Sequence, residues 1–110
     1  MNRYTATGVL NDMRQGRRVI VLTATQQAAR LAFEQVAAQA AADEKARRTN
    51  GCERITAANG TGWIAFGSTR GTQHRGTTAD VVFLDSGCPD TPSMVAPIVA
   101  ASPVGEVVRA

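Results

Sequence analysis

The sequence predicts an α/β fold with a small, mainly parallel sheet flanked by helices, and three observations carry that prediction. Residues 19–22 and 81–84 are short, continuous apolar runs, the pattern of strands buried on both faces in a parallel sheet. Apolar residues at helical spacing precede and follow the first run. At 110 residues with 44% hydrophobic content, the chain holds one domain with one modest core.

Taken in order, residues 5–15 place Ala6, Val9, Leu10 and Met13 on one stripe, which predicts an amphipathic helix. Gly16 follows as a C′ residue that accepts the left-handed conformation without steric cost. Arg18–Thr23 is the first strand. Thr25 then offers a hydroxyl to a free amide of the next helix, which the pattern extends over 26–47. Ala29, Ala32, Phe33, Val36, Ala37 and Ala40 line its inner face, and Arg30 and Glu34 form an i, i+4 pair on the outside. Asp43 to Arg48 read as its solvated end, and Thr49-Asn50-Gly51 stops it. Residues 53–58 and 63–68 flank Asn59-Gly60-Thr61-Gly62, which predicts an inserted β-hairpin. A polar loop over 69–78 leads to the second strand, 80–85. A helix is expected over 91–101, with Pro92 in its first turn and Pro97 limiting its length. A third strand over 105–109 closes the order. Helices between the core strands imply parallel pairing with crossovers.

The net charge is +3, and eleven of the twelve basic residues are Arg, with Lys45 the exception. Guanidinium groups favour anionic partners, but no long basic run marks a nucleic-acid tail. Two cysteines, Cys52 and Cys88, make neither a disulfide scaffold nor a zinc pattern. His74, Asp85, Cys88 and Asp90 fit no metal-ligand spacing, so no metal and no cofactor is expected. No apolar run has the roughly 20 residues of a membrane span, and no basic region followed by an apolar stretch marks a signal peptide. The expected compartment is the cytoplasm.

Two segments carry a resemblance. Gly16-Arg17-Arg18-Val19-Ile20-Val21-Leu22-Thr23-Ala24-Thr25 is similar to motif Ia of helicase-like P-loop ATPases. Gln73-His74-Arg75-Gly76-Thr77-Thr78-Ala79-Asp80-Val81-Val82-Phe83-Leu84-Asp85 is similar to their Walker B strand. With the hairpin between them, the arrangement resembles the RecA-like ATPase domain of tailed-phage terminase large subunits. The resemblance implies that the strands near 20, 83 and 107 lie side by side in that order, with the last on an edge.

The same resemblance implies a lost activity. The family places a Gly-rich loop ending in Gly-Lys-Ser/Thr before the first helix, where amides cradle phosphate and Lys neutralises it. Only Asn2-Arg3-Tyr4-Thr5 stand there, and the strand before the loop is missing from the sequence. Thr5 is at best a remnant of the magnesium-binding hydroxyl. Asp85 occupies the place of the magnesium acid, and Ser86 replaces the glutamate that activates water. No catalytic residue is therefore expected. Contacts to phosphate or nucleic acid, if made, fall to Thr23, Thr25, Arg70, His74 and Arg75, near the carboxyl ends of strands.

The functional expectation is a non-catalytic, phage-encoded interaction protein in the infected host. It self-assembles through an exposed sheet edge and the first helix, and binds a host or phage protein. A binder of the DNA backbone is the second reading, and a residual or split NTPase the third.

Overall fold

The computed structural model describes residues 3–49, 52–69, 78–85, 102 and 105–109. The element order is α1 (Arg3–Arg14), β1 (Arg18–Thr23), α2 (Gln26–Ala37), β2 (Lys45–Arg47), β3 (Arg54–Thr56), β4 (Trp63–Ser68), β5 (Val81–Leu84) and β6 (Glu106–Arg109). The expected helix over 91–101 lies outside the described residues.

One mixed sheet joins all six strands in the order β2-β3-β4-β1-β5-β6. β1 sits inside it, parallel to β4 on one side and to β5 on the other, with Val21 opposite both Phe66 and Phe83. β6 is parallel to β5 and forms one edge. The neighbour order β1-β5-β6 is the one the resemblance implies. The hairpin differs from expectation. Its two strands do pair antiparallel, with Ile55 opposite Ile64. Yet β4 is no insertion outside the sheet, because its run Ile64-Ala65-Phe66 is buried on both faces and packs beside β1.

The second helix also differs. It ends at Ala37, not near Arg47, and Lys45–Arg47 forms an edge strand opposite Arg54–Thr56. The Ala-rich stretch after Ala37 has helical propensity, but tertiary contacts override it. Glu44 turns back to accept from the Ala41 amide at 2.8 Å, and Arg14 of α1 donates to both its oxygens at 2.8 Å. That guanidinium holds the Glu44 carboxyl below the usual carboxylate range, against the cost of burial. The segment 43–48 is thus partly docked and paired, not a solvated helix end.

Both described helices lie on the same face of the sheet. The stripe Ala6, Val9, Leu10 and Met13 of α1 meets Ala32, Phe33 and Val36 of α2 over Val19, Val21, Ile64, Phe66, Val81 and Phe83. The rings of Phe33 and Phe66 meet edge to face at 5.4 Å. On the opposite face Ile20, Leu22, Ala79, Val82 and Leu84 form a second buried cluster, flanked by Trp63 and Val107.

Two glycines fix how the layers close. Gly16 takes φ +87° and reverses the chain from α1 into β1. A Cβ at Gly62 would stand 1.9 Å from the Met13 carbonyl oxygen, so only glycine lets the hairpin loop reach the end of α1. In that loop Gly60 has φ +79°, and Asn59 Oδ1 accepts from the Thr61 amide at 3.1 Å.

Candidate functional site

The four parallel strands finish on one edge of the sheet, at Thr23, Ser68, Leu84 and Arg109. α1 reverses into β1 at Gly16 and packs along it, so the N-terminus of α1 reaches that same edge. α2 starts there as well. This is where the sequence places Thr5, Thr23, Thr25 and Asp85. Arg70, His74 and Arg75 lie outside the described residues.

The threonines are committed to the fold. Thr23 is 1% exposed, and its hydroxyl donates to the Thr25 carbonyl at 2.7 Å, 3.3 Å from the Gly67 carbonyl. Its side chain is closed to a ligand. Thr25 has extended backbone at φ −137°, and its hydroxyl accepts from the Ala28 amide at 3.1 Å, capping α2. Thr5 and Asp85 are half-buried, and the Asp85 amide donates to the Leu22 carbonyl at 3.0 Å. Lys45, the one lysine of the chain, is on β2 at the opposite sheet edge. Among the described residues no group of three His, Cys, Asp or Glu side chains is placed to hold a metal ion.

At the other ends of the strands stands an ion-pair network that the sequence did not signal. Asp80 is 8% exposed. It accepts from the Arg18 backbone amide at 2.8 Å, from the Arg18 guanidinium at 3.1 and 3.2 Å, and from Ser102 Oγ at 2.7 Å. Its backbone adds a bond from its amide to the Arg18 carbonyl and one from the Glu106 amide to its carbonyl. Asp80 therefore clamps the starts of β1, β5 and β6. The Arg18 side chain first, and Ser102 and the Arg18 amide with it, hold its carboxyl far below the usual carboxylate range despite burial. Arg18 and Asp80 stand 62 positions apart, so no local pattern announces the pair.

A second feature is a buried carboxylate. The Glu53 side chain is fully enclosed, and neither oxygen accepts a hydrogen bond. Among the described residues its ion pair is with Arg30, whose Nη1 is 3.7 Å away and which also faces Glu34 at 3.5 Å. Gln26 Nε2, on the same stripe of α2, is buried without an acceptor.

A third feature is the flank of β6. Among the described residues β6 has a strand neighbour on one side only. Beside it, between α1 and the sheet, runs a groove of about 550 Å³. Val81, Phe83 and Val108 line its sheet side, and Val9 and Tyr4 line the α1 side. Tyr4 is 76% exposed, unusual for an aromatic residue of a small core. Arg109 stands at the carboxyl end of the groove and Asp12 toward the other. Such an edge presents unpaired backbone N–H and C=O groups beside apolar surface, the chemistry of strand addition.

Among the described residues no helix is long and apolar enough to cross a membrane. No protein-family model, curated protein or solved structure matches this chain.

Proposed function

We propose that this chain is a non-catalytic interaction protein that assembles with another protein chain through the β6 edge and the adjoining flank of α1. The observation that carries the reading is that, among the described residues, β6 has a strand neighbour on one side only and adjoins the groove lined by Tyr4 and Val108. The sheet ancestry behind it is a RecA-like, terminase-type motor of a phage, acting in the infected host. Support for that ancestry is the parallel order β1-β5-β6 and an α1 whose first turn lies at the carboxyl edge. The non-catalytic reading rests on the chain's own residues. Ser86 stands where a water-activating glutamate is required, and the one lysine is strands away from Thr5 and Asp85. Positioning and charge neutralisation supply most of phosphoryl-transfer catalysis, and among the described residues no lysine lies beside Thr5 and Asp85 to neutralise phosphate.

Backbone hydrogen exchange tests the reading. On association, the amides of Glu106–Arg109 gain protection while those of Lys45–Arg47 at the opposite edge do not. Hydrolysis of magnesium-ATP above background overturns the non-catalytic reading. β6 amides that exchange equally fast in free and associated protein overturn the proposed edge.

A further inference from the structure

We infer that the face of β2, β3 and β4 turned away from α1 and α2 is a binding surface for single-stranded nucleic acid, independent of the β6 edge at the other end of the sheet. The helices cover the face on which Ile55 and Ile64 lie. The pleat puts the alternate residues of these strands on the other face. There Lys45, Thr56 and Trp63 form one row across the three strands, and Arg47, Arg54 and Ala65 form the next. Lys45 and Arg47 are exposed, and Arg54, Thr56 and Trp63 are half-buried.

The fold does not account for the charges of this patch. Arg14, Arg17, Arg18, Arg30 and Arg48 each face a carboxylate. Among the described residues no ion pair includes Lys45, Arg47 or Arg54. Arg47 and Arg54 stand directly opposite each other on neighbouring strands, where like charges weaken the pairing. Arg47 donates to the Thr49 hydroxyl at 3.2 Å, a neutral partner. Cations on an edge strand also repel further strands, which accounts for Lys45 and Arg47 but not for Arg54 on the interior strand β3. An anion laid across the two strands turns the repulsion into a shared attraction.

The aromatic neighbour selects the kind of anion. The Arg54 guanidinium carbon lies 4.3 Å from the centre of the Trp63 ring, along the diagonal of the β3–β4 pair. Such a contact holds two planar groups together without cancelling the charge. Cations therefore line the rim at β2, and the planar pair lies toward the middle of the sheet. Phosphates running along β2 send their bases across β3 toward Arg54 and Trp63, where an unpaired base stacks. An acidic peptide uses the charges but has nothing for the planar pair. A duplex keeps its bases stacked inside and likewise meets only the charges.

The experiment mixes the full chain with an oligothymidylate of about 12 nucleotides, a length that small single-strand binders cover. Trp63 is the only tryptophan, so its fluorescence reports stacking with no substitution. The expected result is quenching, with an affinity that falls about 20-fold between roughly 50 and 200 mM salt, a log–log slope near −2 for three phosphate contacts. Lys45→Gln and Arg47→Gln should each flatten that slope by about 0.7. Arg109→Gln, the same loss of charge on β6 at the far edge, should leave it unchanged. Arg47→Gln also relieves the like-charge pair, so its urea midpoint should not fall, which separates weakened binding from a damaged fold. No binding, saturation without quenching, equal affinity for polyglutamate or for a duplex of the same length, or unchanged slopes in both Lys45→Gln and Arg47→Gln overturns the inference.

Discussion

Replacing Asp80 by Asn tests the clamp that holds the strand starts together. The carboxylate accepts four bonds, three of them from Arg18 and one from Ser102. Asparagine keeps the shape but offers one acceptor oxygen, and its amide nitrogen meets donors. Breaking a buried ion pair costs about 3–5 kcal/mol. Here the Arg18 side chain is 38% exposed, and water recovers part of its solvation. The loss should therefore be about 2 kcal/mol, or roughly 9 °C in Tm for a domain of this size. Urea titration followed by the fluorescence of Trp63, the single tryptophan, measures it. The pH dependence has a definite sign. The folded-state carboxyl lies below its ordinary range, so its stabilisation is fully present above that range and fades as pH falls below it. The gap between wild type and Asp80→Asn should be complete at pH 7 and shrink in strong acid. Equal midpoints at pH 7, or an undiminished gap at pH 2.5, refute the reasoning.

Further outcomes follow from single contacts. Gly62→Ala drives a Cβ into the Met13 carbonyl and should cost about 3 kcal/mol or leave the protein insoluble. Gly60→Ala, with open space but positive φ, should cost only about 1 kcal/mol, and paired denaturation curves separate them. Thr25→Ala removes the cap of α2, an expected loss of about 1 kcal/mol with faster exchange of the Ala28 amide. Glu53→Met removes a buried carboxylate that accepts no hydrogen bond, leaving Arg30 its exposed pairing with Glu34. It should be neutral or stabilise by about 1 kcal/mol in urea titration.

What the sequence made legible follows from the range of the interactions involved. The stripe Ala6, Val9, Leu10 and Met13 is written in one helical period, and all four residues are buried. The runs around Ile20 and Phe83 declare themselves by composition, and they pair in parallel. Thr25 is readable because a cap acts within three residues. The end of α2 is not, since alanines after Ala37 carry no local stop and the turn is made by Arg14, thirty positions from Glu44. β2 is equally hidden, because Lys-Ala-Arg becomes a strand only when Arg54–Thr56 lies beside it. The place of β6 at the end of the described strand order was implied by the resemblance, but Tyr4 and the groove required α1 and β6 to be brought together.

The position of β1 has a consequence for biosynthesis. Its partners come late: Thr23 meets Gly67 across 44 positions, and Arg18 meets Asp80 across 62. During translation this largely apolar strand emerges early and stays unmatched until most of the polypeptide has followed. Long-range pairing of this kind is slow, because the intervening chain must close before any contact rewards it. A nascent chain in this condition is a substrate for holding chaperones, and synonymous changes that pause the ribosome between β1 and β5 should lower the yield of native protein.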